Sequence, residues 1–460
     1  MNFRAFFQKH KAYMIIFSIA VALRLGLFFV YLNFNHGDFI GTVRGADGYF
    51  EISENLIAGN GYSESAQAPF VPNAMRPPAW IVTMALIAKI FHSYVPVYIF
   101  QLILSSLIPI LGMYLAGKIF PSRYTWLVGL FLALEPAAIY SSTMVVSETS
   151  FTFLFLLFLV FIFRYLDSQA TKSIALAGFF LGLSILIKPT VQFLPIIIPV
   201  LLLLHYRKQL SLRFFKQLLC FVFVVALVLL PWVLRNKKEF GVWGLTAQPA
   251  YNLYTVLVPT VLSIDKGTSY ESELSAIPIV DEVPGGPADL SNSRFYTDKS
   301  VAVLMQHKVA LLKSMGISMV TFFTHDHMLT VLGYGGISIP NVLHKPALVL
   351  LLTDPLELAR DILMYASSPG IFVLLVRLFW IAITLLFFAG AALYLYKEKF
   401  SPFAYTGLIM VAYFAVLTSA NGFGMNGRFR IPVNVFIFTF AVYGFVVLRR
   451  CLIKKWFPNA

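Results

Sequence analysis

The sequence predicts an all-α polytopic membrane protein, and three observations lead to that fold class. Of the 460 residues, 59% are hydrophobic and only 12% are charged, too few charges to cover the core of a soluble protein of this length with a hydrated surface. Apolar runs long enough for a helix to cross a bilayer, about 17–25 residues, recur along the chain. The aromatic content of 16% excludes a disordered chain, and two cysteines exclude a disulfide scaffold.

About ten of these runs are predicted to cross the membrane, and a bundle of 11–13 crossings stays an open alternative. They lie near residues 12–33, 96–117, 125–141, 149–166, 173–188, 190–205, 217–234, 371–396, 402–419 and 432–448. An even number of crossings places both termini on one side. The short run 78–92 carries Lys89 and is predicted to lie on the outer membrane face, with a crossing as the alternative.

The distribution of charge predicts which side faces the cytoplasm. The loops on the side of the termini hold 17 basic residues against two acidic residues, Asp167 and Glu398. The basic residues are Arg4, Lys9, Lys11, Lys118, Arg123, Arg164, Lys172, Arg207, Lys208, Arg213, Lys216, Lys397, Lys399, Arg449, Arg450, Lys454 and Lys455. Because cytoplasmic loops are enriched in Lys and Arg, both termini are predicted to be cytoplasmic. The net charge of +14 therefore does not require a nucleic-acid partner.

This topology divides the chain into three parts. Residues 1–234 are predicted to form a transmembrane catalytic module whose first outer loop is 34–78. Residues 235–370 form an outer, periplasmic segment with membrane-associated helices, one of them spanning 301–323, which either docks on the membrane or forms one arm of a hairpin. Residues 371–460 contain the C-terminal transmembrane helices.

Two acidic residues stand at the outer ends of the predicted helices. Asp47 follows the first span, and Glu148 lies at the start of the fourth. Ionisable groups near a bilayer are costly and are candidates for function. Two such carboxylates suit a general base and a second group that positions a metal or the acceptor, although a helix-start charge and a solvated loop residue are the alternative interpretation.

Five basic residues are predicted to lie at the same outer ends of the helices as Asp47 and Glu148. They are Arg76, Lys188, Arg235, Arg428 and Arg430. Because short outer loops are normally poor in Lys and Arg, and because Arg binds phosphate through a planar fork, the cluster predicts a lipid-linked phosphate ligand. Contact with lipid headgroups is the alternative for any one of them.

Several motifs resemble one enzyme family. The first outer loop contains Asp47, Tyr49, Asn55, Gly59, Gly61, Pro72, Ala74, Arg76, Pro77 and Pro78, and three stretches follow it: LEPAAIYSSTMVVSE (134–148), PWVLRNKKEFG (231–241) and GRFRIP (427–432). Together they resemble the bacterial GT-C glycosyltransferases related to dolichyl-phosphate-mannose protein mannosyltransferases (family 39-like), a group that includes the aminoarabinose–lipid A transferases.

The resemblance implies roles for individual residues. It makes Asp47 the catalytic carboxylate that takes a proton from the acceptor hydroxyl, and Glu148 a group that orients the acceptor or holds a metal. Arg76 is implied to grip the donor phosphate, and Arg235 to assist it. Weaker correspondences concern Lys188, Arg428 and Arg430, and Tyr49 is a candidate for stacking on sugar.

The expected reaction is sugar transfer from a polyprenyl-phosphate donor to a hydroxyl or phosphate of an envelope glycolipid, a glycan or a protein, at the outer face of the bacterial inner membrane. No cofactor is required by the sequence, although a divalent metal ion stays open, with His325 and His327 as weak candidate ligands. A transporter or flippase of lipid-linked sugars is the main alternative. Such a protein is expected to bury ionisable groups near the bilayer midplane, whereas this chain is expected to concentrate them at the outer edge. A second alternative is a ligase of lipid-linked glycans, which would not need Asp47.

Overall fold

The computed structural model describes residues 3–45, 47–277, 283, 286–339, 347–397, 401–422 and 426–456. The regular secondary structure in these ranges is helical, and they contain no β-strand. The predicted all-α polytopic fold is confirmed. Seven helices in these ranges are long and apolar enough to cross a membrane, and a bent pair of helices provides an eighth candidate.

The N-terminal half supplies most of the helices around the site. They are α1 (Phe3–Phe34), α2 (Phe39–Val43), α3 (Tyr49–Ala58), α4 (Pro78–Phe91), α5 (Val95–Gly117), α6 (Thr125–Leu134), α7 (Pro136–Thr143), α8 (Ser147–Ser168), α9 (Thr171–Ile185), α10 (Leu194–His205) and α11 (Leu212–Phe240).

The remaining helices fall into a middle group of short elements and a C-terminal group. The middle group is α12 (Gln248–Asn252), α13 (Val258–Lys266), α14 (Tyr270–Ala276), α15 (Ser293–Gln306), α16 (Lys308–Thr324), α17 (Met328–Tyr334), α18 (Ala347–Thr353) and α19 (Pro355–Ala366). The C-terminal group is α20 (Ile371–Lys397), α21 (Pro402–Ser419), α22 (Asn426–Arg430) and α23 (Asn434–Trp456).

Each of the ten predicted crossings corresponds to helical structure. Seven match the long helices, and 125–141 matches α6 and α7, which meet at an angle of 51°. The remaining two, α9 and the segment 189–205, are apolar but shorter than 18 residues. Because a helix needs about 20 residues to span a bilayer at a rise of 1.5 Å per residue, the crossing of these two stays a prediction.

Two helices form the centre of the bundle and carry site residues at their ends. In α8 and in the span 427–450, 67% and 78% of the most apolar 18-residue stretch is buried inside the protein. The corresponding fraction is 28% for α1 and for α11 and 22% for α20. Glu148 lies in the first turn of α8, and Arg428 begins the other span. At the opposite end of α8, Asp167 forms an ion pair with Lys118. The residues predicted to face the cytoplasm and those predicted to face outward therefore lie at opposite ends of the same helix.

The bend between α6 and α7 has a local cause. Pro136 follows Glu135, and the Glu135 carboxylate accepts a hydrogen bond from the backbone N–H of Ala138 over 2.6 Å. An N-cap before a proline starts a new helix rather than continuing the old one. The bend brings the end of α7 to the start of α8, next to Glu148.

The helix α4, over the run 78–92, is only 14 residues long. Val82, Leu86 and Ile90 are exposed on one face, whereas Trp80 and Met84 on the other face are buried. An exposed stripe at a spacing of four residues is what a helix presents to lipid when it lies along a membrane face.

The prediction of one continuous helix over 301–323 is wrong. α15 ends at Gln306 and α16 begins at Lys308, and His307 between them has a non-helical backbone. At this break the His307 ring contacts Asp265 of α13 over 2.7 Å.

The helices α20 and α23 pack with unusually close backbones. A Cβ atom added at Gly390 would overlap the carbonyl oxygen of Phe440, and one added at Gly444 would lie 2.6 Å from the carbonyl oxygen of Leu386. Glycine is therefore required at both positions for the helices to approach this closely.

Candidate active site

The first outer loop places Asp47 through the turn that precedes α3. Gly48, the next residue, has φ of 73°, and a Cβ atom there would overlap the carboxylate of Glu64. Glycine adopts this left-handed conformation without a steric penalty. The turn leaves the Asp47 carboxylate at the surface of the bundle with 25% of its side chain exposed.

Arg76 lies beside Asp47, and its closest approach to that carboxylate is 3.6 Å. The side-chain oxygen of Asn73 accepts hydrogen bonds from the backbone N–H of Met75 over 2.8 Å and of Arg76 over 3.3 Å. These bonds fix the backbone that carries the guanidinium. Its central carbon lies 5.7 Å from the ring centroid of Tyr49.

Arg428 joins the two predicted catalytic carboxylates. Its Nη2 donates to Oδ2 of Asp47 over 2.9 Å, and its Nε donates to Oε1 of Glu148. The Nζ of Lys188 also donates to Oε1 of Glu148. Asp47, Glu148, Arg76, Arg428 and Lys188 therefore form one cluster, called here the charge cluster.

The two carboxylates of the charge cluster differ in access. The Glu148 side chain is only 3% exposed, against 25% for Asp47. Glu148 is held by two cations inside the bundle, and its second oxygen, Oε2, is buried without a hydrogen-bond partner in the described residues. Asp47 is therefore the more accessible of the two carboxylates.

Lys188 lies in the connection after α9 and is 15% exposed. Burial lowers the pKa of Lys188, and the Glu148 carboxylate acts in the opposite direction because it stabilises the charged ammonium. A lysine paired with a buried carboxylate neutralises that carboxylate as long as it keeps its proton. In this position Lys188 compensates the charge of Glu148.

Tyr49 connects the first outer loop to the start of α8. Its hydroxyl donates to the Oγ of Ser147 over 3.0 Å. Burial raises the pKa of Tyr49 to about 12, so the phenol stays neutral and keeps this hydrogen bond. Because the ring is buried, the structure gives it packing contacts rather than an open face for a sugar.

Arg235 lies apart from the charge cluster. It donates to the carbonyl oxygen of Asn73 over 3.0 Å, and its guanidinium packs among aromatic rings, 4.8 Å from the centroid of Trp232 and 5.5 Å from that of Tyr62. Through Asn73 it supports the loop that carries Arg76. Its contacts are those of a positioning residue.

Arg430 also points away from the cluster, although it is only two residues from Arg428. It is fully buried, its guanidinium carbon lies 3.3 Å from the ring centroid of Trp380, and it donates to the carbonyl oxygens of Phe322 and His325 over 2.7 and 2.8 Å. The structure does not bring this predicted donor-binding residue to Asp47.

The candidate metal ligands His325 and His327 do not form a metal site with Asp326 between them. Asp326 pairs with Arg377 over 2.6 Å. Within the described residues, no three His, Cys, Asp or Glu side chains are grouped closely enough to hold a metal ion. Burial lowers the pKa of His327 to about 4, so this ring is neutral near pH 7.

Two positioning residues are not predicted from the sequence. Asn73 links Arg235 to the backbone of Arg76, and its only signal is its place inside the run 72–78. Gln101 is fully buried in α5, and its amide donates to the carbonyl oxygens of Ser142 over 3.3 Å and of Met144. A lone Gln in an apolar span is its signal, and its hydrogen bonds hold the segment that leads to Glu148.

Comparison with protein families gives one match that bears on this site. Residues 75–233 match the model of a family described as dolichyl-phosphate-mannose-protein mannosyltransferase. This segment is similar to these glycosyltransferases. This finding confirms the relationship predicted from the motifs, and the matched segment contains Arg76, Glu148 and Lys188. No curated protein sequence matches the chain.

Comparison with solved structures finds membrane enzymes whose fold resembles that of this chain. The oligosaccharyltransferase of Archaeoglobus fulgidus in its apo form has a TM-score of 0.51 and 13% identity, over 99% of this chain and 53% of that one. The same enzyme in complex with Zn and sulfate has a TM-score of 0.51 and 14% identity, over 96% and 50%. The likeness shows a shared fold, and the chain spans about half the length of the oligosaccharyltransferase. ArnT from Cupriavidus metallidurans bound to undecaprenyl phosphate matches with a TM-score of 0.41 and 15% identity, over 95% and 78%.

Proposed function

We propose that the chain is an inverting glycosyltransferase that uses a sugar donor linked to a polyprenyl phosphate of the undecaprenyl type. The acceptor is a hydroxyl or phosphate on a glycolipid such as lipopolysaccharide, on a glycan or on a protein of the bacterial cell envelope. The reaction takes place at the outer face of the inner membrane. One observation carries the proposal: the accessible carboxylate of Asp47 lies between the guanidinium groups of Arg76 and Arg428.

Asp47 is the general base in this scheme. It takes the proton of the acceptor hydroxyl while the acceptor oxygen forms a bond to the anomeric carbon of the sugar. The bond between that carbon and the phosphate oxygen breaks, and its electron pair leaves with the polyprenyl phosphate. Attack from the side opposite the phosphate inverts the anomeric centre.

Arg76 stabilises the leaving phosphate. A guanidinium is always charged and binds phosphate oxygens in a fork, and fixed cations near developing negative charge are a large source of rate acceleration. Arg76 is also the looser partner of Asp47, at 3.6 Å against 2.9 Å for Arg428.

In the resting site, the Asp47 carboxylate contacts two cations, Arg76 and Arg428. A donor phosphate that takes Arg76 removes one of these cations from Asp47. Binding of the donor then frees one side of the Asp47 carboxylate for the acceptor hydroxyl, so the base and the acceptor meet when there is a sugar to transfer. Glu148, held by Arg428 and Lys188, keeps the second arginine in place during this exchange.

The position of the site and the related family support the proposed donor class. The family that matches residues 75–233 is described by a donor in which the sugar is carried on a lipid phosphate. The sequence has no nucleotide-binding glycine motif in the basic loops, and the cations of the charge cluster lie at the end of membrane helices, where a lipid phosphate is found.

The experiment uses the purified full chain with a radiolabelled polyprenyl-phosphate sugar and envelope lipid extract. Asp47→Asn should lower sugar transfer at least about 100-fold, because a general base contributes roughly 10²–10⁴-fold. Glu54→Gln, a change of an exposed acid in the following helix, is the matched control and should keep transfer. Transfer that survives Asp47→Asn contradicts the base assignment and favours a ligase that relies on arginines alone.

The same preparation in liposomes distinguishes a transporter. Movement of labelled lipid between leaflets without any sugar transfer would favour a flippase over the proposed enzyme.

Arg24 departs from the expectation that ionisable groups lie at the outer edge, since it is fully buried within α1. It donates to the Oγ of Ser105 over 2.6 Å, which joins α1 to α5, and to the carbonyl oxygen of Ala20 in its own helix over 3.1 Å.

A further inference from the structure

A second group of cations lies at the end of the bundle opposite the charge cluster. Arg123 immediately precedes α6, and Arg449 and Arg450 lie in α23; all three side chains are exposed. In the described ranges, no carboxylate forms an ion pair with any of the three. Lys118 at the same end is different, because it pairs with Asp167. The arginines thus carry positive charge that the described protein does not neutralise.

Two of these guanidinium groups meet at one aromatic ring. The guanidinium carbon of Arg123 lies 4.8 Å from the ring centroid of Tyr124, and Nη2 of Arg450 donates to the Tyr124 hydroxyl over 3.4 Å. Both cations therefore contact the same residue, and an anion bound between them would offset the repulsion of their like charges. The fork geometry of arginine favours phosphate as that anion.

An apolar groove continues from the arginines along the bundle. The groove has a volume of about 510 Å³, and its sides are Trp126 and Leu127 of α6 and Phe445 and Val446 of α23. Trp126 and Phe445 are 44% and 50% exposed, so both face outward from the bundle. Tryptophan is enriched at the level of lipid headgroups, which places the arginines at that level and the groove beside the acyl chains.

We propose that this groove binds one anionic phospholipid of the surrounding bilayer. Its phosphate lies between Arg123 and Arg450, with Arg449 at the edge, and an acyl chain follows Trp126 and Phe445. Basic pockets between transmembrane helices recognise anionic headgroups in this way. A soluble phosphate would use the cations and leave the apolar sides uncovered, and a zwitterionic lipid would bring a fourth cation to a site that already has three.

Bound lipid would join α6 to α23. The helix α23 begins near Arg428 at one end of the bundle and carries Arg449 and Arg450 at the other. A lipid that bridges Arg123 and Arg450 therefore stabilises the helix behind the charge cluster without taking part in the chemistry.

The test measures lipid binding to the purified full chain in a neutral detergent. Phosphatidylglycerol and phosphatidylcholine are added separately, bound lipids are counted by native mass spectrometry, and the melting temperature is followed. Phosphatidylglycerol should bind with one-to-one stoichiometry and raise the melting temperature, and phosphatidylcholine should not. The double variant Arg123→Gln/Arg450→Gln should weaken binding roughly tenfold or more, since each basic residue near a lipid surface contributes about a factor of five.

The matched control is Arg207→Gln/Lys208→Gln, which removes two exposed cations from another loop at the same end and should leave binding unchanged. Equal weakening by the control would mean that the attraction is only the general positive charge of this face, and would overturn the groove. Glycerophosphoglycerol that binds as tightly as the lipid would overturn the role of the apolar sides. Because a variant that misfolds also loses lipid, Arg123→Lys/Arg450→Lys is included: it keeps the charge and should bind better than the Gln pair.

Discussion

Arg428 donates from Nη2 to Oδ2 of Asp47 over 2.9 Å, although the two residues are 381 positions apart in the chain. Both lie outside the segment 75–233 that matches the related family. The C-terminal part of the chain therefore completes a site that starts in the first outer loop. A protein cut between these parts would keep Glu148 and Lys188 but lose the cation that joins the two carboxylates.

Replacement of Arg428 by Gln should cost both stability and activity. It leaves Glu148 with Lys188 alone in a buried position, and breaking a buried ion pair typically costs about 3–5 kcal/mol. We expect a lower melting temperature in detergent and loss of sugar transfer. The double variant Arg428→Gln/Glu148→Gln should lose less stability than the sum of the two single variants, because both single variants break the same Arg428–Glu148 ion pair, and it should remain inactive. Additive losses of stability in the double variant would contradict the bridging role.

Replacement of Arg76 by Gln should act mainly on the donor. One charge-assisted hydrogen bond to phosphate is worth about 1.5–3 kcal/mol, so kcat/KM for the polyprenyl-phosphate sugar should fall roughly 10- to 100-fold. The matched control is Arg44→Gln in the same loop, whose exposed side chain pairs with Glu51. An unchanged kcat/KM in Arg76→Gln would show that the phosphate is held elsewhere.

His327 should make stability fall in acid. Its pKa is lowered from 6.5 to about 4, first by burial and then by His325 and Arg428, while Asp326 and Glu148 oppose the shift. The unfolded chain then binds more protons than the folded one between pH 6.5 and pH 4, so the contribution is fully present above pH 6.5 and is lost as pH falls toward 4. Between pH 7.5 and pH 5 the loss should be about 2 kcal/mol.

The measurement compares wild type with His327→Asn, which does not titrate in this range. The difference in unfolding free energy between the two proteins should change with pH in that direction and by that amount. A difference that is constant from pH 7.5 to pH 5 would show that the pKa of His327 is the same in the folded and the unfolded state.

The sidedness of the membrane helices can be tested with fused reporters. A phosphatase reporter placed after Asp298, an exposed residue of α15, should be active because residues 235–370 are predicted to be outside. The same reporter after Gln209, between α10 and α11, should be inactive because that loop is predicted to be cytoplasmic. The reverse pattern would place the charge cluster on the cytoplasmic side and exclude a reaction at the outer face.

The sequence predicts the helical membrane fold well because the bilayer requires long apolar runs, and every predicted crossing coincides with helical structure. It also singles out Asp47, Arg76, Glu148, Lys188 and Arg428, which the structure brings into one cluster. Whether these residues have the predicted catalytic and binding roles stays a prediction that the substitutions above address.

Other features depend on contacts that sequence spacing does not contain. Arg428 and Arg430 differ by two positions on a short helix, so they point in different directions, and only packing against Trp380 shows which one leaves the cluster. At the break between α15 and α16, His307 contacts Asp265, 42 positions earlier. The spacing of apolar residues along the sequence predicts neither of these contacts.

The paired glycines of α20 and α23 restrict how this protein can vary. Any side chain at Gly390 or Gly444 separates the two helices, and no change in a neighbouring side chain compensates, because the obstacles are backbone atoms. Larger residues at these two sites should therefore be excluded from functional variants recovered in a saturation library, even though the sites lie in apolar helices that tolerate most hydrophobic exchanges elsewhere.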